Sequence, residues 1–344
     1  MCGTVGLFTG CAAATFCPVS QLKRTKVTSG KQDGGDLPPY RSAFSAWDTK
    51  ASVRSRPRRE LADDGLSLFP ADLVPVARHP LVAVLPPEIY DCLLTQHLYR
   101  YLQFTAKLEY LVVNHVTLGI AHGSIAVPIP DQMRFDAFKI YTDEAYHALF
   151  SVDLMRQVEA QTRIRPSFDD EPYFLVRLAA LKERHDAARA QLIEVLFTIV
   201  SETLITATLT DVARSQDVAS AVVETVRDHA LDEGRHHAYF ASYLNYLWAS
   251  LGRKEREFAG RILPELIDIF LRPDLPAIRK ELLSYGLRRD AVEQVLAETF
   301  SEETQMSYAR ATASKLLGYL LEVGVFEESG ARDIAQERGF ISFD

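Results

Sequence analysis

At 344 residues, with 47 % hydrophobic and 24 % charged side chains, the chain has the balance of an ordinary globular protein, and global disorder is excluded. A formal net charge of −8 argues against nucleic-acid and anionic-membrane partners, both of which select for concentrated lysine and arginine. No apolar run approaches the ~18 residues that would span a bilayer. The four cysteines, Cys2, Cys11, Cys17 and Cys92, have no C-x-x-C spacing, so neither a thiolate metal site nor a disulfide framework is expected and a reducing cytoplasm is the default.

Residues 1–20 read as an unstructured leader rather than a signal peptide, because Gly3, Gly6 and Gly10 interrupt the apolar stretch and no basic segment precedes it. Residues 22–60 mix Lys, Arg, Gly, Pro, Ser and Asp without a sustained period, which predicts a mobile arm. Pro75, Pro80, Pro86 and Pro87 mark an extended connector, and order is expected to begin there. Apolar residues at helical spacing then predict a first helix over 88–122, ending near Gly119 and Gly123. After Pro128 and Pro130, Asp131 is the expected N-cap of a second helix to about Thr162. A third helix is expected over Tyr173–Arg214. The fourth runs from Val218 to Leu251 after a tight turn and closes at Gly252. Beyond it, shorter helices are expected, separated at Pro264, at Pro273 and Pro276, and at Gly286, with a last long one over 302–323. The expected architecture is all-α: a largely irregular arm (1–87), a ferritin-like four-helix bundle (88–252), and a helical extension packed on it (253–344). Rossmann and P-loop readings fail for want of a glycine-rich phosphate loop.

One motif occurs twice, Asp143-Glu144-Ala145-Tyr146-His147 and Asp232-Glu233-Gly234-Arg235-His236. A glutamate and a histidine three apart lie about 60° from each other around a helix, one turn apart along it, so both can grip one metal centre. The other two predicted helices each carry a glutamate in an apolar setting, Glu109 and Glu202. Together they make the set known from di-iron and di-manganese carboxylate bundles. Four glutamates neutralise two divalent irons and the imidazoles bind as neutral ligands, with manganese substitution open. Without metal the same charges would be buried together at high cost. His229, Glu233 and His236 stand at i, i+4 and i+7 on one face of the fourth helix, which makes His229 a seventh ligand. Asp143 and Asp232 can each reach the ligand histidine on the neighbouring helix and fix its tautomer.

A single Glu-x-x-His on a helix is usually a solvated pair; two, with two embedded glutamates on separate helices, make the metal reading the better one. His237 turns about 100° from the ligand face, and His79, His97, His115, His122 and His185 have no ligand spacing. Tyr101 can line a pocket near the metals, with core packing the equal alternative.

Glu109, the Asp-Glu-x-x-His at 143–147, Ser201-Glu202-Thr203 and His229-x-x-x-Glu233-x-x-His236-His237 resemble the p-aminobenzoate N-oxygenase family, the AurF and CmlI type of di-iron oxygenase. The resemblance covers roughly residues 88–251, and the third histidine of the fourth helix is its distinguishing mark. It implies two Fe ions that bind dioxygen as a peroxo adduct, an external electron donor, and a homodimer. It also implies oxidation of an amine, often an arylamine, through hydroxylamine and nitroso levels toward nitro in specialised metabolism. A carboxylate-bearing substrate would want a cation, for which Arg310 is a candidate, an exposed surface arginine being the plainer reading. The rivals are hydroxylation, desaturation or C–C cleavage on the same scaffold, an iron-oxidising storage protein, and a metal-free structural protein. Storage subunits rarely carry some ninety helical residues after the bundle.

Overall fold

Proline and glycine set most of the helix ends, and the spacing of apolar residues sets which faces are buried. The computed structural model describes residues 37, 39–168 and 171–341; the expected leader, with Cys2, Cys11 and Cys17, lies outside them. Among the described residues the regular elements are helical, and the β pairing is an isolated bridge between Ser67 and Val218.

Two short turns, α1 (Trp47–Lys50) and α2 (Ser52–Ser55), and a third, α3 (Pro80–Ala83), precede α4 (Pro87–Leu108). α4 opens on a proline, whose missing N–H would have no helical partner there. It passes through a π-helical segment, Glu109–Val113, into α5 (Asn114–His122). Gly123, at φ 74°, closes α5 in the left-handed region open to glycine. α6 (Asp131–Thr162) is capped by Pro130 rather than by Asp131, which sits in the first turn with its charge at the positive end of the helix dipole.

The third expected helix is two, α7 (Tyr173–Lys182) and α8 (Ala187–Val212). Asp186 causes the break: its carboxylate accepts from the Arg189 amide at 2.9 Å and starts a new helix. α9 (Ser220–Ser250) follows, then α10 (Arg253–Leu271), α11 (Leu275–Ser284), α12 (Arg289–Thr299), α13 (Glu302–Glu322) and α14 (Ala331–Glu337). Pro264 was expected to separate helices, yet it lies buried inside α10 among Ile262, Leu263, Leu266 and Ile267. Burial of that apolar face offsets the roughly 3 kcal/mol that an interior proline costs.

The continuous rod of α4, the π-segment and α5 packs along α6, α8 packs along α9, and α6 meets α9, so four rods enclose one interior. α10 and α13 lie against α8. α8 corrects the expectation that no apolar run is long enough to cross a membrane: by length and composition it is, with a mean hydropathy of 1.7. It is enclosed on several sides, and 88 % of that apolar window is buried inside the protein, as an all-round apolar core helix should be.

The arm also departs from expectation. Order begins before the proline connector, and residues 39–62 lie on α6 and α9. Phe44, Trp47 and Ala51 are buried, 1 %, 9 % and 0 % exposed. They stand at i, i+3 and i+7, a short helical stripe that a window averaged over the surrounding polar residues hides.

Candidate metal centre

Each rod contributes to one buried cluster. The π-helical segment presents Glu109, α6 presents Glu144 and His147, α8 presents Glu202, and α9 presents His229, Glu233 and His236. None is more than 2 % exposed. A π turn shifts the side chains after it relative to α-helical spacing and recurs at functional sites; here it falls on the glutamate of the first rod.

Two overlapping groups result: Glu109, His147, His229 and Glu233, and Glu144, His147, Glu233 and His236, each with ligand-type atoms within 4.8 Å of one another. His147 and Glu233 belong to both. His147 turns Nδ1 inward, 2.9 Å from Glu144 Oε2 and 3.5 Å from Glu233 Oε1. His236 Nδ1 lies 2.8 Å from Glu144 Oε1 and 3.1 Å from Glu233 Oε1. His229 enters through Nε2, 3.0 Å from Glu109 Oε1 and 3.1 Å from Glu233 Oε1. Glu202 stands outside both groups but adjoins the second, 3.6 Å from His236 Nδ1.

The donor set fits metal ions. Glu109 Oε2, Glu202 Oε2 and Glu233 Oε2 are buried without a hydrogen-bond partner, and the close neighbours of Glu109 Oε1 and Glu144 Oε1 are ring nitrogens of the cluster itself. Such atoms are costly unless a cation satisfies them. Protein charges compensate only in part. Burial pushes Glu109 up to about 7, against the pull of His229, and burial followed by the charges of Glu233 and Glu144 raises Glu202 well above the usual range. Burial also works against the ionised forms of Glu144 and Glu233, but the His236 charge together with hydrogen bonds from His147 and His236 (Glu144) and from His229 and His236 (Glu233) outweighs it and holds both below the usual value. His147 and His236 are raised well above 6.5: burial opposes this, and hydrogen bonds with Asp232 and Glu144 (His147) and the charges of Glu144 and Glu233 (His236) win. A metal ion binding here would therefore have to displace protons from these groups.

The outward ring nitrogens are held across the bundle. His147 Nε2 donates to Asp232 Oδ2 at 3.1 Å, and His236 Nε2 donates to Asp143 Oδ2 at 3.2 Å. Each aspartate thus serves the histidine of the other helix and, in the neutral ring that binds metal, would leave the Nδ1 lone pair facing the cluster. Two groups that sequence reasoning missed complete the arrangement. Trp47 Nε1 donates to both oxygens of Asp143 at 2.9 Å, and the Ser52 amide donates to Asp232 at 3.1 and 3.3 Å. The Phe44-x-x-Trp47-x-x-x-Ala51 stripe was the available signal.

A model of the p-aminobenzoate N-oxygenase AurF family matches residues 51–324. The chain belongs to the AurF family. It is therefore an oxidoreductase of an oxygenase family. The match reaches well beyond the resemblance over 88–251, taking in the turn of α2 and most of the C-terminal helices. A 4-aminobenzoate N-oxygenase of Streptomyces thioluteus is 24 % identical over 254 residues, 71 % of this chain and 74 % of that protein.

In this AurF-family chain Tyr101 sits two turns before Glu109, and its hydroxyl is buried without a partner. Burial, then the charges of Glu109 and Glu233, push its phenol well up, so the hydroxyl keeps its proton beside the cluster. Arg310 is exposed, and its Nε donates to the Gly339 carbonyl at 2.7 Å. His237 turns away to the Tyr319 hydroxyl at 3.0 Å, His79 caps α3, and His115 pairs with Glu194 at 2.8 Å. A cavity of about 200 Å³ lies between the arm and the helices, lined by Arg56, Arg59, Tyr146, Leu149, Phe150 and Asp228 among others. Phe150 stands between it and the cluster, its ring centroid 5.3 Å from His147 and 5.8 Å from His229.

Proposed function

We propose that Glu109, Glu144, His147, Glu202, His229, Glu233 and His236 hold two iron ions, and that the chain N-oxygenates an arylamine with dioxygen in specialised metabolism. What supports this reading is the convergence of two histidine–glutamate groups that share His147 and Glu233 inside a closed bundle, together with membership of an N-oxygenase family. Bound iron would supply the redox capacity for dioxygen chemistry that no amino-acid side chain has.

The protein groups have definable tasks. Four carboxylates balance the charge of two divalent ions, and His229 enriches one side of the cluster in nitrogen. Asp143 and Asp232 orient His236 and His147. Tyr101, with a protonated and unpartnered hydroxyl, offers a hydrogen bond to a substrate held beside Glu109. The buried surroundings exclude water, which would otherwise quench reactive oxygen species before the amine met them. Conversion of an N–H to N–OH takes one oxygen atom from dioxygen and releases the other as water, consuming two electrons and two protons; an external donor supplies the electrons. An aminobenzoate is the substrate class to which the relative's name points. The exposed apolar side chains of α6, Phe135, Phe138, Tyr141, Leu149 and Val152, favour a homodimer, and the cysteine spacing favours a reducing, cytoplasmic setting.

The test is to load Fe(II) under argon, admit oxygen, and offer 4-aminobenzoate and a panel of arylamines and amino acids while following product mass. Hydroxylamine, nitroso or nitro products are expected. Oxygen consumption with products oxidised only at carbon would replace this reading with a hydroxylase or desaturase. Oxygen consumption that deposits ferric mineral without any organic product would replace it with iron storage.

A further inference from the structure

The arm carries groups that the bundle itself does not supply. Its two ends are fixed to the outside of α6 and α9. Before the turns, the Tyr40 hydroxyl donates to Asp136 at 2.8 Å. After them, Arg59 pairs with Asp228 at 2.7 Å, Arg58 with Asp153 at 2.8 Å, and the Leu61 amide donates to Gln157 at 2.8 Å. Between these anchors the chain dips into the protein at two points five residues apart, Trp47 and Ser52. At each it delivers one N–H to one of the two aspartates that hold a cluster histidine. Asp143 and Asp232 are fully buried, so a carboxylate there has no water to align it. What aligns Asp143 is His236 on one side and the Trp47 indole on the other. What aligns Asp232 is His147, Arg235 and the Ser52 amide.

We propose that Trp47 and the Ser52 backbone amide are positioning groups of the metal centre, which makes residues 44–52 a strap that completes the site from outside the bundle. The inference rests on reading the cluster as a metal centre and is independent of the substrate. Two bonded chains of the same design run inward: Trp47 to Asp143 to His236, and Ser52 to Asp232 to His147. Each fixes a ring whose Nδ1 faces the glutamates. Because the contacts are made at both ends, strap order and metal binding are linked: whatever holds the histidines in the binding geometry also holds the strap, and the reverse.

Ser52 permits a selective test. It is the first residue of α2, and Ala51 before it is extended, with φ −60° and ψ 142°. A proline is accommodated at such a position, and the residue before it has the conformation that proline requires. Ser52→Pro removes the amide donor together with the hydroxyl that donates to the Asp228 carbonyl; Ser52→Ala removes the hydroxyl and keeps the amide. Trp47→Phe keeps a ring in the pocket and removes the indole N–H. Arg58→Ala loosens an exposed anchor without touching either aspartate.

The full-length variants would be titrated with Co(II) under argon, following its visible d–d absorption and competing it against a chelator. Peptide-level hydrogen exchange over 44–55 would be measured with and without Co(II). Ser52→Pro and Trp47→Phe are expected to bind Co(II) at least about ten-fold more weakly than Ser52→Ala and Arg58→Ala, with an altered band shape. Exchange over 44–55 is expected to slow on Co(II) binding to the unaltered chain. Tight binding that is indifferent to both Ser52→Pro and Trp47→Phe would overturn this inference alone, as would equal losses in all four variants. Absence of Co(II) uptake by the unaltered chain would overturn the metal reading and this inference together. Should Ser52→Pro fail to fold, Trp47→Phe against Arg58→Ala and the exchange measurement decide between the same outcomes.

Discussion

The carboxylate of Asp143 on α6 accepts from Nε2 of His236 on α9, 93 residues further along the chain, at 3.2 Å. Asp232 returns the contact to His147 on α6 at 3.1 Å. The exchange ties the two Glu-x-x-His helices together through their ligand histidines. Asp143→Asn and Asp232→Asn should keep the fold, since an amide fills the same volume, but lose the preference for the Nε2–H tautomer. Metal affinity is expected to fall about 10–100-fold in each, as read by chelator competition. A change of less than two-fold in both would show that the histidines are oriented by packing alone.

Glu202 shows the cost of assembling such a site. Burial, then the neighbouring Glu233 and Glu144, raise it well above the ordinary carboxylate range, so its charge destabilises the fold whenever no cation is bound. Glu202→Gln is therefore expected to raise the Tm of chelator-treated protein by roughly 2 °C or more. If the cluster holds two iron ions as proposed, the same change should lower the iron bound per chain. Calorimetry on the metal-depleted protein and metal analysis on the loaded one check the two halves separately.

Proton release should accompany metal loading. With no ion bound, His147, His229 and His236 are raised and Glu109 is raised to about 7, so these groups retain protons near neutrality that a metal must displace. Apparent affinity is expected to rise with pH through that range, and calorimetric heats at pH 7 should vary with the ionisation enthalpy of the buffer. The sign for stability follows from the same shift. Glu109 has a folded value above its ordinary 4.5, so its contribution to metal-depleted protein is present below pH 4.5 and is lost as pH rises to about 7. Loaded protein should not show that loss. Denaturant titrations at pH 5 and 7.5, with and without metal, test the difference.

Tyr101 offers a hydroxyl that is buried, protonated and without a partner. Tyr101→Phe should leave metal content and helicity unchanged, and its stability should not fall, because an unsatisfied group is removed. If the hydroxyl contacts substrate, kcat/KM falls by an amount corresponding to about 1–2 kcal/mol. Unchanged kinetics would assign Tyr101 to packing against Phe69, whose ring centroid is 5.6 Å away.

The amino-acid sequence by itself determined the four rods of the bundle and the residue types of the cluster, because both depend on local periodicity. Glu144 with His147, and Glu233 with His229 and His236, share a helix face by virtue of a 3.6-residue repeat, whatever the rest of the chain does. What local pattern could not carry was decided by tertiary structure. Pro264 fails to end α10 because the face around it is buried, whereas the cap that Asp186 gives α8, three residues from the Arg189 amide, is a local contact that the run of helical spacing hid. Arg310 on α13 meets the Gly339 carbonyl, 29 residues further along the chain. The largest gap lay in the arm. Its polar composition reads as solvated chain, yet Trp47 and Ser52 reach Asp143 and Asp232 across 96 and 180 residues. No periodicity encodes a hydrogen bond over that separation; it exists only once α6 and α9 lie side by side and bury two carboxylates that need donors.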